Sequence, residues 1–198
     1  MKTIFLGVAV AFHLLITHTV LGQRSGNGLP LRVSLFNETA TLPSVSRLTA
    51  RLNPGVSVGT ELYYRQGKKH QWIQTLNLGG FHHNELATSF LLTTEVGYRF
   101  FARNIHLDLK MGPGYMLNRS AAQLYRYDGE TYAKTAGLQH RLVATSGVSL
   151  GVEVGGVTPF VAYNVMIQAP FLQNNSLYLP HQLFQIGVAK KIRRSTSR

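Results

Sequence analysis

The chain has 198 residues, with 20 Lys and Arg against 8 Asp and Glu, a formal net charge of +12 and no Cys. A charged fraction of 14% is low for a soluble domain and an apolar fraction of 44% is ordinary, so neither a disordered chain nor a charge-coated helical protein is favoured. The absence of Cys excludes disulfide frameworks, cysteine-ligated zinc, a catalytic thiol and an N-terminal lipidated cysteine.

The N-terminal segment has the pattern of a signal peptide. Lys2 precedes a mainly apolar run from Ile4 to Ile16, and small side chains follow where a signal peptidase would cleave. The apolar run is shorter than the ~20 residues of a spanning helix, which makes a membrane anchor the weaker alternative. We therefore expect a cleaved signal peptide in residues 1–22, a folded domain in residues 23–192 and a basic C-terminal tail in residues 193–198.

Alternation of apolar and polar residues, which is typical of β-strands, begins near Leu31–Phe36 and runs through most of the chain after Pro54. Further segments with this pattern are Val56–Arg65, Trp72–Phe81, Phe90–Phe100, Ile105–Met111, Leu142–Val154, Pro159–Ile167 and Phe184–Val188. Together they predict an all-β fold of about eight strands, an even number that single-chain outer-membrane barrels share. Val45–Leu52 also alternates and is an alternative for the first strand.

The connections between these segments alternate in length, which is typical of an antiparallel up-and-down barrel. Short turns are expected at Gly67–His70, Phe101–Arg103 and Gly155–Gly156, and long connections at Asn37–Asn53, Asn118–Leu138 and Gln168–Pro180, with His82–Ala87 intermediate. Within the longest connection, Tyr125–Tyr132 surrounds an Asp-Gly turn signal and predicts a hairpin that offers a binding surface. Anchoring of its aromatic residues at the membrane interface is the alternative.

The two faces of the alternating segments differ in a way that favours a membrane barrel. One face is apolar, whereas the other collects glycines and charges of both signs, as expected for the filled lumen of a narrow closed barrel. The predicted lumen charge network is Glu61, Arg65, Glu95, Arg99, His106, Asp108, Lys110, Arg141 and Glu153. The alternative is a soluble periplasmic barrel or sandwich that buries the apolar face and binds a small apolar ligand.

Histidines mark the long-connection ends of several strands. If closure gathers His82, His83, His140 and His181, they form a transition-metal site; the alternative is that they are interfacial or loop histidines. We expect no other cofactor. Catalysis is not the favoured prediction, although Ser89, His140 and Glu85 are conceivable members of a hydrolase triad.

Segments such as Gly55–Tyr64, Thr94–Phe100 and the last strand Phe184–Ala189, together with the signal segment, resemble those of the small eight-stranded outer-membrane β-barrel proteins of Gram-negative bacteria. The resemblance covers the mature chain as a pattern. It implies an outer-membrane location, contact with outer-membrane lipids and insertion by the barrel-assembly machinery. In that family the last strand ends in an aromatic residue, whereas here it runs into Lys190 and Lys191 and the basic tail.

Members of that family range from structural barrels to lipid-modifying enzymes and adhesins. The sequence therefore predicts a monomeric outer-membrane barrel with a structural or surface-recognition role and a lumen plugged by charged residues, and no nucleic-acid partner. A lipid-modifying hydrolase or acyltransferase is the enzymatic alternative. Basic residues on the short-turn rim, from Lys68 to His70, at Arg103 and from Lys190 to Arg198, suit anionic headgroups.

Overall fold

The computed structural model describes residues 30–40, 52–67, 69–83, 87–120, 125–127, 129, 131–134, 138–169 and 178–191. The predicted signal peptide (1–22) and basic tail (193–198) lie outside the described residues. Among those described, no helix is both long and apolar enough to cross a membrane.

The described chain forms ten strands, of which eight make one closed antiparallel barrel in the order β1-β10-β9-β8-β5-β4-β3-β2. The remaining two, β6 and β7, form the predicted hairpin in the longest connection. The strands are β1 (Pro30–Thr39), β2 (Pro54–Gln66), β3 (His70–His83), β4 (Ala87–Ala102), β5 (Ile105–Ser120), β6 (Tyr125–Tyr127), β7 (Tyr132–Lys134), β8 (Leu138–Val152), β9 (Val157–Ala169) and β10 (Leu179–Lys191).

Closure depends on the first strand, which pairs with both the second and the last. The β1–β10 ladder runs from Pro30 opposite Lys191 to Thr39 opposite Gln182, and β1 also pairs with β2. The prediction that β1 lies near Leu31–Phe36 is therefore confirmed. Apart from Leu52, the alternative segment Val45–Leu52 lies outside the described residues. Short turns join β2 to β3, β4 to β5 and β8 to β9; we call their rim the inner end and the opposite rim the outer end.

The barrel is apolar outside and polar inside, as the alternation predicts. Val96, Leu107 and Leu150 are 41%, 42% and 46% exposed, whereas Arg99 and Asp108 are 6% and 0% exposed. A soluble barrel would bury the first set and solvate the second. The structure therefore contradicts the soluble alternative, and it confirms the predicted sidedness of the sheet.

Several glycines are required because a barrel of eight strands has so little interior space. A Cβ built on Gly112 of β5 would lie 2.0 Å from the carbonyl oxygen of Thr94 and 2.7 Å from the Cα of Glu95 on β4. A Cβ on Gly151 would lie 2.4 Å from the ring of His106. The first contact is with backbone, so no side-chain rotation relieves it.

We expect Gly112→Ala to destabilise the barrel, because the new methyl group must push β4 and β5 apart. Such overpacking costs about 1–3 kcal/mol. The measurement is the urea midpoint of the refolded barrel in lipid bilayers. Gly80→Ala is the matched control, since its Cβ meets a single atom, the carbonyl oxygen of Ser89 at 3.3 Å. Equal midpoints for both variants would contradict the steric argument.

Candidate functional site

The inner half of the lumen contains a chain of ion pairs that joins four strands. Arg32 of β1 donates to Glu61 of β2. Arg99 of β4 donates from Nη2 to Glu61 Oε1 at 3.0 Å, and from Nε and Nη2 to the two carboxylate oxygens of Asp108 of β5 at 2.6 and 2.8 Å. Arg99 thus forms a bidentate pair with one carboxylate and bridges to a second, the geometry for which guanidinium is suited.

Further contacts complete this network. The hydroxyl of Tyr63 donates to Glu61 Oε2 at 3.0 Å, so both oxygens of that carboxylate have donors. The guanidinium of Arg32 lies 4.1 Å from the ring centroid of Phe160, a cation–π contact. His106 Nε2 lies 3.9 Å from Asp108. The network borders a recess of about 200 Å³ at the inner end of the lumen.

A second ion pair lies one level further into the lumen. Lys110 Nζ lies 3.6 Å from Glu95 Oε2, which also accepts a 3.0 Å hydrogen bond from Thr75. Lys110 and Glu95 are 5% and 4% exposed. A small space of about 40 Å³ beside this pair is large enough for one or two water molecules.

Above this level the lumen contains a layer of buried apolar side chains, which we call the septum. Seven of the eight barrel strands each contribute one: Phe36, Phe81, Leu91, Met116, Val143, Met166 and Leu183. The eighth, β2, contributes Gly55, whose Cβ would lie 2.3 Å from the Phe36 ring, so its missing side chain makes room for that ring. All seven side chains are at most 9% exposed. The septum separates the inner ionic network from the outer end.

A second polar group, the outer cluster, lies beyond the septum. His181 of β10 contacts Glu38 Oε1 of β1 through Nδ1 at 2.6 Å and Gln168 of β9 through Nε2 at 3.2 Å. Asn118 of β5 donates to the same Gln168 oxygen at 3.3 Å. His83 of β3 lies 4.0 Å from the second oxygen of Glu38. Five strands are thus tied together at the outer end by buried groups.

The predicted lumen residues fall into three groups. Glu61, Glu95, Arg99, His106, Asp108 and Lys110 are all buried in the lumen. Arg141 is half-buried near the outer end and donates to Gln139, away from the inner network, whereas Glu153 is exposed beside the inner recess. The side chain of Arg65 lies outside the described part of the structure.

The four histidines do not converge, which corrects the predicted metal site. His83 and His181 face the lumen, but His82 and His140 are exposed on the outer wall, where they contact Thr88 and Tyr115. Adjacent residues of a strand point to opposite faces, so His82 and His83 cannot share a ligand set. Within the described part of the chain, no group of three or more His, Asp or Glu side chains is arranged to hold a metal ion.

The conceivable catalytic triad is not assembled either. Ser89 is 2% exposed on the lumen side of β4, whereas His140 is on the outer wall of β8. The barrel wall lies between them, so the imidazole cannot take a proton from this hydroxyl. Glu85 lies outside the described residues.

Several network members were missed by the sequence analysis. Arg32 lies between the outward Leu31 and Val33, so the alternation itself was the signal that it faces the lumen. Glu38 was missed because β1 continues to Thr39, beyond the predicted end at Phe36. Gln168 and Asn118 fell within predicted loops that are in fact strand ends.

Closure by eight strands, the charged lumen and the apolar outer face occur together in one class of protein. The chain folds as a small barrel of the outer-membrane type. No family profile matches the sequence, and no curated protein matches it.

Several solved structures have similar barrels. The N-terminal β-barrel domain of Pseudomonas aeruginosa OprF has 11% identity and a TM-score of 0.46, covering 84% of this chain and 99% of its own. The outer membrane enzyme PagL has 9% identity and a TM-score of 0.49, covering 82% and 99%. Ail, the attachment invasion locus protein of Yersinia pestis, has 9% identity and a TM-score of 0.46, covering 84% and 97%. Identities and overlaps of this size transfer no function to this chain.

Replacing Arg99 is expected to be strongly destabilising, because Glu61 and Asp108 stay buried without their shared cation. Arg99→Met should lower the free energy of unfolding by about 3–5 kcal/mol, measured by urea denaturation in bilayers. Lys190→Gln, which removes an exposed cation on the outer wall of β10, is the control and should lower the midpoint much less. A small effect of Arg99→Met would mean that the network contributes little to stability.

The outer cluster gives a separate prediction. In His181→Leu the buried Glu38 loses its 2.6 Å contact with Nδ1, and the expected loss of stability is about 1–3 kcal/mol. His82→Leu is the control, since it changes an exposed imidazole on the outer wall. Urea midpoints measured in the same bilayers compare the two variants. If they lose equal stability, the buried contact has no special role.

Proposed function

We propose that this protein is a monomeric, non-conducting barrel of the outer membrane, whose long connections form a recognition surface. The observation that carries the proposal is the septum, because its seven buried apolar side chains lie in the lumen between two polar regions. Water and ions need a continuous polar path to cross a barrel, so an apolar layer in the lumen supports a non-conducting role.

The outer wall supports the membrane placement. On β4 the outward side chains from Phe90 to Phe100 are apolar or aromatic except Thr94, whose hydroxyl accepts a 2.8 Å hydrogen bond from Gln74. At the inner end, Trp72, Tyr98 and Phe100 contact one another edge to face, with ring centroids 5.1 and 4.8 Å apart. Aromatic residues at this level are typical of the interface between hydrocarbon and headgroups.

The inner rim supports contact with anionic lipids. Four basic side chains are exposed there: Lys69, Arg103, Lys190 and Lys191. Among the described residues of the same rim, the exposed carboxylate is Glu153. Each basic side chain near an anionic membrane surface contributes about 1 kcal/mol. Outer-membrane lipids and the machinery that inserts barrels are the partners that this role requires. A closed barrel has no free strand edge, which favours a monomer.

The recognition role is assigned to the outer end, where three of the four barrel connections are long and the fourth, between β3 and β4, is residues 84–86. The connection between β5 and β8 spans 121–137 and contains the β6–β7 hairpin, whereas the turn between β4 and β5 is Arg103 and Asn104 alone. Long connections on a rigid scaffold are the usual place for binding residues.

The septum gives a direct test. The unaltered protein in planar lipid bilayers should show no channel events, and Phe36→Ala combined with Phe81→Ala should produce them, because two rings with centroids 6.0 Å apart are removed from the closure. Leu35→Ala, a neighbouring substitution on the lipid side, is the control and should stay silent. Steady conductance of the unaltered barrel would refute the non-conducting role.

A further inference from the structure

Basic side chains on the outer wall are distributed unevenly at the outer end. Among the described residues, the basic side chains that face outward near this end are His82 of β3, Arg119 of β5 and His140 of β8. The described outward positions of β9, β10, β1 and β2 at the same end carry no Lys, Arg or His. Basic side chains that served only as general headgroup contacts would be spread around the barrel. Among the described residues they lie on one wall, which favours a localised site.

The strand register brings these groups side by side. His82 lies opposite Thr88, and Thr88 lies opposite Arg119, so the three form one row across β3, β4 and β5. His140 lies opposite Leu117, one outward position further in on β8. We call His82, Thr88, Arg119, His140 and Tyr115 the outer-wall patch.

Both imidazoles are oriented by neighbours in the wall. His82 Nδ1 lies 2.8 Å from the Thr88 hydroxyl, and His140 Nδ1 is hydrogen-bonded to the Tyr115 hydroxyl. Neither Nε2 atom has a partner among the described residues, and Arg119 is exposed without an ion pair there. No described carboxylate faces outward near the patch. The guanidinium of Arg119 is a donor for an anion, and each Nε2 donates when it carries the ring proton. Phosphate is the anion that a guanidinium binds best.

The surface directly below the patch is apolar. Phe90, Leu78 and Leu142 are 62%, 56% and 39% exposed, and they occupy the next outward rows of the same strands. A ligand that places phosphate on the patch can therefore lay hydrocarbon chains on this wall.

The width of the patch limits the choice of lipid. Neighbouring strands are about 4.8 Å apart, so the three steps from β3 to β8 span about 14 Å. The phosphate of a simple phospholipid covers one such step. A disaccharide headgroup with a phosphate at each end can reach Arg119 and His82 or His140 together.

We propose that the outer-wall patch binds one glycolipid with a bisphosphorylated disaccharide headgroup, the chemistry of lipid A. Its phosphates contact Arg119 and the two imidazoles, and its acyl chains lie over Phe90, Leu78 and Leu142. The proposal rests on the membrane placement proposed above, and it adds a specific lipid to it.

The test uses the mature barrel in phosphatidylcholine nanodiscs, with native mass spectrometry to count retained lipids during titration with bisphosphorylated lipid A. Arg119→Gln should raise the apparent Kd about tenfold, the effect of losing one charge-assisted contact. His82→Gln combined with His140→Gln should raise it less. Lys190→Gln removes the same charge from the outer wall at the inner end, and it should weaken the binding of lipid A and of phosphatidylglycerol equally, and by less than Arg119→Gln weakens the binding of lipid A.

Titrations with two other lipids test which headgroup the patch binds. Monophosphorylated lipid A should bind the unaltered barrel more weakly than bisphosphorylated lipid A does, and Arg119→Gln should reduce its affinity less. Phosphatidylglycerol should bind the unaltered barrel and the Arg119→Gln barrel with the same affinity. If phosphatidylglycerol binds as tightly as lipid A, or if Arg119→Gln and Lys190→Gln act equally, the glycolipid site is refuted.

Insertion is measured separately, so the two proposals fail differently. The unaltered barrel should insert into phosphatidylcholine bilayers that contain no glycolipid, shown by faster gel mobility before heating than after. If it does not insert, the membrane placement itself is wrong. If it inserts but has no lipid preference, the patch alone is refuted.

Discussion

The structure depends on how little space an eight-stranded barrel encloses. Its interior is just wide enough for side chains, so every inward charge must find a partner within the lumen. Arg99 shows the result, since one guanidinium serves carboxylates from two other strands. The same restriction explains Gly55 and Gly151, where the missing side chains leave room for Phe36 and His106. Charge pairing and glycine placement are two consequences of one shortage of volume.

The apolar outer face follows from the hydrocarbon that surrounds the barrel. Backbone groups in hydrocarbon must be paired within the protein, and closure of β1 on β10 pairs them around the whole sheet. Once the sheet is closed, alternation places every second side chain in lipid. Two pairs of polar residues on this face are hydrogen-bonded to each other: Gln74 donates to Thr94, and Tyr163 donates to Gln182, each at 2.8 Å.

Alternation alone was enough to predict the strands, their sidedness and the inward position of residues such as Glu61 and Asp108. Alternation also predicts that His82 and His83 face opposite sides of the sheet, because they are adjacent in one strand. It could not give the pairing of Arg99 with both Glu61 and Asp108, because that depends on the register between strands, which a period of two does not encode. Glu38 needed the true end of β1, and strand ends carry the weakest sequence signal.

The septum has a consequence for the environment of the two polar regions. The recess beside Arg32 and Glu61 lies on the inner side of the septum, and the cluster around Glu38 and His181 lies on its outer side. Under the non-conducting role proposed above, acidification or a change of ionic strength on one side of the bilayer would reach one set of buried charges and leave the other untouched. One barrel interior would then face two different solutions.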